Sequence, residues 1–149
     1  MSDSQKESPG SVFFTEIGII AQLSFKAFER VLPAGLTISQ YSVLNNLSRL
    51  GDGKSPSVLA NAFQVTKGAM TNTLAKLESG GLVEVRADAR DGRANLVFLT
   101  PAGAKARTEA LKARELLFEE LMAKFPVAEL SKVTPLLAKL RAHLDTARN

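Results

Sequence analysis

Between Ser57 and Arg93 the chain carries short polar and basic residues in two groups. Thr66, Lys67, Gly68, Ala69, Thr71, Asn72 and Lys76 fall on one segment, and Arg90 and Arg93 on the next. Hydroxyls and lysines at the start of a helix, beside its free N–H groups, bind phosphate. Gly68 and Ala69 let a backbone come close to a surface. An asparagine such as Asn72 carries the donor–acceptor pair that matches adenine in a major groove. Arginines such as Arg90 and Arg93 suit a narrow, negative minor groove. Asp88 and Asp91 stand beside them and read as partners that fix the turn. The chemistry is that of a polyanion reader. Taken singly, Thr66 is also simply a helix cap, Lys67, Lys76 and Asn72 also fit a solvated face, and the arginines also fit a charge-balanced turn.

The charge distribution agrees with the first reading. The chain has 149 residues and a formal charge of +4. Residues 54–107 hold 8 Lys and Arg against 4 Asp and Glu, residues 1–53 hold 4 against 5, and residues 108–149 hold 7 against 6. The excess therefore lies in the middle third, where it favours nucleic acid. Other chemistries lack their residues. Cysteine is absent and His143 is the one histidine, which excludes disulfides, thiol catalysis and cysteine zinc sites and leaves nothing for a triad. No glycine-rich phosphate loop or nucleophile–base pair is visible. The reading is of a protein that is not an enzyme and carries no cofactor. The polar start is no signal peptide, and the most apolar early stretch, Ile17 to Phe25, is short for a bilayer. A cytoplasmic protein with no membrane partner is expected.

The elements that must position these groups can be placed by periodicity. Residues 1–10 read as a flexible tail and residues 11–149 as one domain. Phe13, Ile17, Ile20, Leu23, Ala27, Phe28 and Val31 make an apolar face on a helix over 12–32. A second helix over 37–50 turns Tyr41, Val43, Leu44 and Leu47 inward. Ser55 or Ser57 caps a short third helix with Pro56 in its first turn. Thr66 caps a fourth, whose inward stripe is Met70, Leu74 and Leu77 and whose outer face is Gly68, Asn72, Ala75 and Ser79. Leu82–Arg86 and Asn95–Leu99 alternate as two strands joined by a charged tip. Thr100-Pro101 opens a helix to about Lys124, and a last one runs over about 127–147. Its Leu130, Val133, Leu137, Leu140 and Leu144 step by 3 and 4, a seam that fits either core or subunit interface. The fold class is mainly α with a small β-hairpin wing: a winged helix-turn-helix over about 37–100, flanked by long terminal helices. In that arrangement the longer helix enters a DNA major groove and the hairpin lies along the backbone or minor groove. A winged-helix module that binds RNA or a protein partner is the alternative.

The order and the motifs together resemble the MarR family of bacterial transcriptional regulators. Asp91-Gly92-Arg93, then five residues and Leu99-Thr100, is similar to that family's wing signature, and Pro101-Ala102-Gly103 continues the match. Leu36 to Leu44, Val58-Leu59-Ala60 through Thr66, and Leu77-Glu78-Ser79-Gly80-Gly81-Leu82-Val83 are similar to the family's second helix, helix-turn-helix and lead into the wing. The resemblance covers about residues 12–147. It implies a homodimer on double-stranded DNA, with the helices over 12–32 and 101–147 interlocking through Phe13, Ile17, Ile20, Leu130, Val133, Leu137, Leu140 and Leu144. It implies a pseudo-palindromic operator, usually repressed, and release by a small aromatic or phenolic effector. Gln22, Phe25 and Tyr41 are candidates to line an effector pocket between the first two helices, with core positions the competing reading for Phe25 and Tyr41. The sequence departs from the family at Asn72, where arginine is frequent, and the absence of cysteine does not fit the oxidant-sensing branch.

Overall fold

A capped proline begins the first element. The computed structural model describes residues 6–33, 35–92 and 94–148. Ser8 accepts from the backbone of Ser11 and Pro9 occupies the first turn of α1, Pro9–Val31. The helix therefore takes in residues 9 and 10, which the sequence reading left in the tail. Thr37 opens α2, Ile38–Leu50, with a reciprocal capping box to Gln40 at 3.2 Å in each direction. Ser55, not Ser57, caps α3, Pro56–Phe63. Thr66 caps α4, Lys67–Ser79, by accepting from Ala69 at 3.1 Å. Strands β1, Val83–Ala87, and β2, Asn95–Leu99, pair antiparallel with Val85 opposite Val97. β1 begins and ends one residue later than its alternation predicts. Helix α5 is Pro101–Leu121, shorter than expected because its chain turns over 122–125, and α6 is Val127–Ala147.

The chain divides into two units, Met1–Arg114 and Glu115–Asn149. In the first, the core is Val43, Leu44, Leu47, Leu59, Ala60, Met70, Leu74, Leu77, Val83 and Val97. These are the inward stripes of α2 and α4 closed over by α3 and the hairpin. Phe28 is the buried residue of α1 and meets Tyr41 edge to face at 5.0 Å. Of the rest of the predicted α1 face, Phe13, Ile17, Ala27 and Val31 are half-buried, and Ile20 and Leu23 stay open at 62% and 66% exposed. Phe25, expected either in a pocket or in the core, is 55% exposed. By length and composition alone, the helix over residues 9–31 is also long and apolar enough to cross a membrane: its most apolar 18-residue window has a mean hydropathy of 1.3. The apolar stretch Ile17 to Phe25 is only the centre of that window, which extends to the apolar residues on either side. In the second unit no described residue of α6 is buried. Its seam residues Leu130, Val133, Leu137 and Leu144 are exposed and Leu140 is half-buried.

Candidate nucleic-acid interface

The third and fourth helices are joined by Gln64 and Val65. Gln64 adopts φ 53° and ψ 43°, the left-handed conformation that turns the chain between them. Its N–H donates to Asn61 O at 3.2 Å, and that of Val65 to Ala60 O at 3.0 Å. The turn aims α4 so that Met70, Leu74 and Leu77 are buried. The opposite side is left to solvent. Ser57, Thr66, Lys67, Gly68, Ala69, Thr71, Asn72 and Lys76 are all exposed. A Cβ placed at Gly68 would meet nothing within 4 Å, so the first turn of α4 is unobstructed. Thr66 satisfies the N–H of Ala69, and those of Lys67 and Gly68 have no acceptor among the described residues. Two free N–H groups, a hydroxyl and a lysine at a helix N-terminus make an anion-binding corner.

The hairpin is tied to the helices at its base. Gly53 N–H donates to Val97 O at 3.0 Å, Val97 N–H to Lys54 O at 2.8 Å, and Leu99 N–H to the Asp52 carboxylate at 2.8 Å. The α2–α3 connector therefore forms one isolated antiparallel bridge beside β2. On the other edge, Glu78 of α4 accepts from Val85 N–H at 3.0 Å. In sequence, Gly51-Asp52-Gly53 reads as a helix breaker; the acid between the two glycines is the signal for this strap. Thr100 completes the junction: its hydroxyl donates to Gly81 O at 2.6 Å and accepts from Gly103 N–H at 3.0 Å. Arg107 of α5 donates two bonds to Asn45 of α2, at 3.1 and 3.0 Å. The hairpin and helices are thus held together at four places outside the core.

On the wing itself, Arg86 lies 4.4 Å from the centre of the Phe98 ring and pairs with Glu84 at 3.0 Å. The Arg86 hydrogen bond and charge hold the Glu84 carboxyl below the usual carboxylate range. At the tip, the Asp88 carboxylate accepts from the backbone N–H of Arg90 at 2.9 Å. This is an Asx-type turn, so Asp88 shapes the tip through the main chain. Asp88 N–H reaches Ala94 O at 2.8 Å and Ala94 N–H reaches Asp91 O at 3.0 Å, closing the loop. Arg90 is exposed on it. Arg93 lies outside the described residues.

Two cavities flank α4. One, of about 700 Å³, is lined by Pro33, Gly35, Leu36 and Gln40 on one side, Ala75, Lys76 and Ser79 of α4 on another, and Ala106 and Glu109 of α5. The other, of about 220 Å³, lies between α2 and the first turns of α4. None of Gln22, Phe25 and Tyr41 lines either of them. Tyr41 is 5% exposed and belongs to the core, with its hydroxyl unpartnered there. Among the described residues no cluster of metal-ligating side chains occurs.

Residues 34–94, the lobe that holds this surface, match the MarR family model. The chain is 33% identical over 105 residues to the transcriptional activatory protein BadR of Rhodopseudomonas palustris, a match that spans 68% of this chain and 59% of BadR. The crystal structure of MarR superposes with a TM-score of 0.82 over 99% of this chain and 98% of that one, at 24% identity. The organohalide-sensing regulator RdhR-CbdbA1625 in its 2,4-dichlorophenol-bound form has the same fold, with a TM-score of 0.79 over 96% of this chain and 85% of that one, at 19% identity. The lobe fits the family model and the described fold is that of MarR, which allows one conclusion: residues 34–94 form a winged helix of the MarR family.

Proposed function

We propose that this protein is a sequence-specific double-stranded DNA-binding regulator that works in the cytoplasm as a homodimer. The observation that carries the reading is the single exposed surface made by the small polar face of α4 and the anchored wing beside it. Ser57, Thr66 and Lys67 serve the phosphates, and Gly68, Ala69, Thr71 and Asn72 face the major groove. Arg90 and Arg93 serve the flanking minor groove, and Asp88 and Asp91 hold the tip in shape. No catalytic chemistry is assigned.

The apolar positions left exposed or half-buried on single helices support dimerisation. Phe13, Ile17 and Ile20 of α1, and Leu130, Val133, Leu137, Leu140 and Leu144 of α6, are the residues we assign to the subunit interface. A second copy gives the apolar length of α1 a protein surface to bury, and so we assign that helix to the dimer rather than to a bilayer. Two α4 helices one DNA turn apart then require half-sites about 10 bp between centres. Occupying an operator that overlaps a promoter blocks transcription, which makes repression the sign we propose; BadR carries the opposite sign in its name. The cavity of about 700 Å³ has room for a small aromatic effector of the kind bound in RdhR-CbdbA1625. Its lining joins α2, α4 and α5, so a ligand there acts on the aim of α4.

The test is selection of bound sequences from a random duplex pool, followed by titration of the best site at several salt concentrations. An inverted repeat with half-sites one turn apart and a steep salt slope is the expected result. A pool without enrichment, or equal binding to single-stranded RNA, would remove the operator reading.

A further inference from the structure

We propose that the core of each operator half-site consists of A·T pairs, read by one amide and by thymine methyl groups rather than by guanine contacts. This rests on the DNA-reading role assigned to α4. The commonest side-chain contact to guanine is the paired hydrogen bond of an arginine, or a lysine, to O6 and N7. Helix α4, Lys-Gly-Ala-Met-Thr-Asn-Thr-Leu-Ala-Lys-Leu-Glu-Ser, contains no arginine.

Of its two lysines, Lys67 stands off the reading strip, and Lys76 borders it in the third turn, beyond the N-terminal residues of a recognition helix that meet base edges. With Met70, Leu74 and Leu77 buried, a rotation of 100° per residue puts Gly68, Asn72, Ala75 and Ser79 farthest from the core. Lys67 is in the first turn, beside the free N–H groups that take a phosphate. Lys76 lines the cavity on the flank of α4 with Ala75, Ser79 and Glu109.

What the strip offers instead is short. Asn72 is exposed and supplies the amide that pairs with adenine N6 and N7. Ala69, Thr71 and Ala75 are exposed and present methyl groups. The base feature that a methyl recognises is the 5-methyl of thymine. Gly68 has open space where a Cβ would stand, so the helix can sit deep enough for such short side chains to reach base edges. Thr73, by contrast, is half-buried and spends its hydroxyl on Ala69 O at 3.1 Å.

The experiment uses the full chain and the best duplex from random selection. Each core thymine is replaced in turn by uracil, which deletes the methyl and leaves the hydrogen-bonding edges intact. Burial of one methyl is worth about a fourfold change in affinity, so a symmetric replacement in both half-sites should weaken binding roughly 15-fold. Asn72→Ala should flatten the preference at one adenine position, and Asn72→Arg should move that position toward guanine. A selected motif with a G·C core, or uracil substitutions that leave affinity unchanged at every core position, would overturn the A·T assignment while leaving the operator reading intact. Absence of any motif would overturn both.

Discussion

Two glycines in this fold should respond in opposite directions to the same substitution. A Cβ built at Gly103 falls onto the carbonyl oxygen of Leu82 and lies 3.0 Å from its carbon and 2.9 Å from Leu99 Cδ1. That oxygen already accepts from Thr100 N–H at 3.2 Å. Because Gly103 is buried in the first turn of α5, the added methyl has no flexible neighbour to displace. Either α5 shifts or the junction bond opens. Overpacking of this kind costs about 1–3 kcal/mol, and leaving a buried carbonyl unpaired costs about 1–3 kcal/mol more. Gly103→Ala should therefore lose about 2–6 kcal/mol. For a chain of this size that lowers Tm by about 5–15 °C at fixed protein concentration. Gly68→Ala lies in a helix with nothing within 4 Å of the new Cβ. It should gain about 0.5–1 kcal/mol from the lower entropy of alanine. Yet it should weaken operator binding, because the methyl keeps α4 out of the groove. Thermal and urea unfolding of the two variants, with operator titration of the second, reads all of this. A Gly103→Ala protein as stable as the parent would refute the packing argument. A Gly68→Ala protein that binds its operator unchanged would refute the close approach of α4.

Three further outcomes are expected. Leu137→Asp puts a charge on the α6 seam and should give a monomer by sedimentation; a dimer of normal affinity would place the interface elsewhere. Gln64→Gly relieves the left-handed residue in the helix-turn-helix and should raise stability by about 0.5–1 kcal/mol in urea unfolding, with loss of stability as the contrary result. Arg90→Ala should lower the slope of log affinity against log salt by about 1.8 across two wings, and an unchanged slope would take Arg90 away from the DNA.

Much of this architecture was legible because it is written in local chemistry. Thr37 with Gln40 three residues on is a capping box before it is a structure, and Thr66 announces α4 in the same way. Met70, Leu74 and Leu77 show their face by spacing alone. The alternation in Asn95–Leu99 gave both strand ends correctly. What was not legible depended on partners far along the chain. The end of α5 at Leu121 rather than Lys124 follows from a turn over 122–125 that starts four residues before Pro126. Phe25 looked like core because its type and spacing do not say whether a neighbouring element exists to cover it. Asp88 beside Arg90 suggested an ion pair, whereas a short carboxylate reaches the nearer backbone N–H more easily than a long guanidinium. Asp52 and Lys54 bond to β2 more than forty residues later, beyond any window in which periodicity speaks. Of the interface, the exposure of the α4 strip and of Arg90 follows from where Met70, Leu74 and Leu77 point.

The anchoring of the hairpin bears on how this protein behaves when concentrated. A two-stranded ribbon normally offers two open edges on which other chains can add strands. Here the outer side of β2 is occupied by Gly53 and Lys54, with the Asp52 carboxylate taking the next N–H, and on β1 the Glu78 carboxylate takes that of Val85. The base of the ribbon is closed on both sides, so sheet-to-sheet self-association has no template there. The amide protons of Val97 and Leu99 should accordingly outlast those of the tip in hydrogen–deuterium exchange, and the slowly exchanging end of the ribbon should be the end nearest the helices.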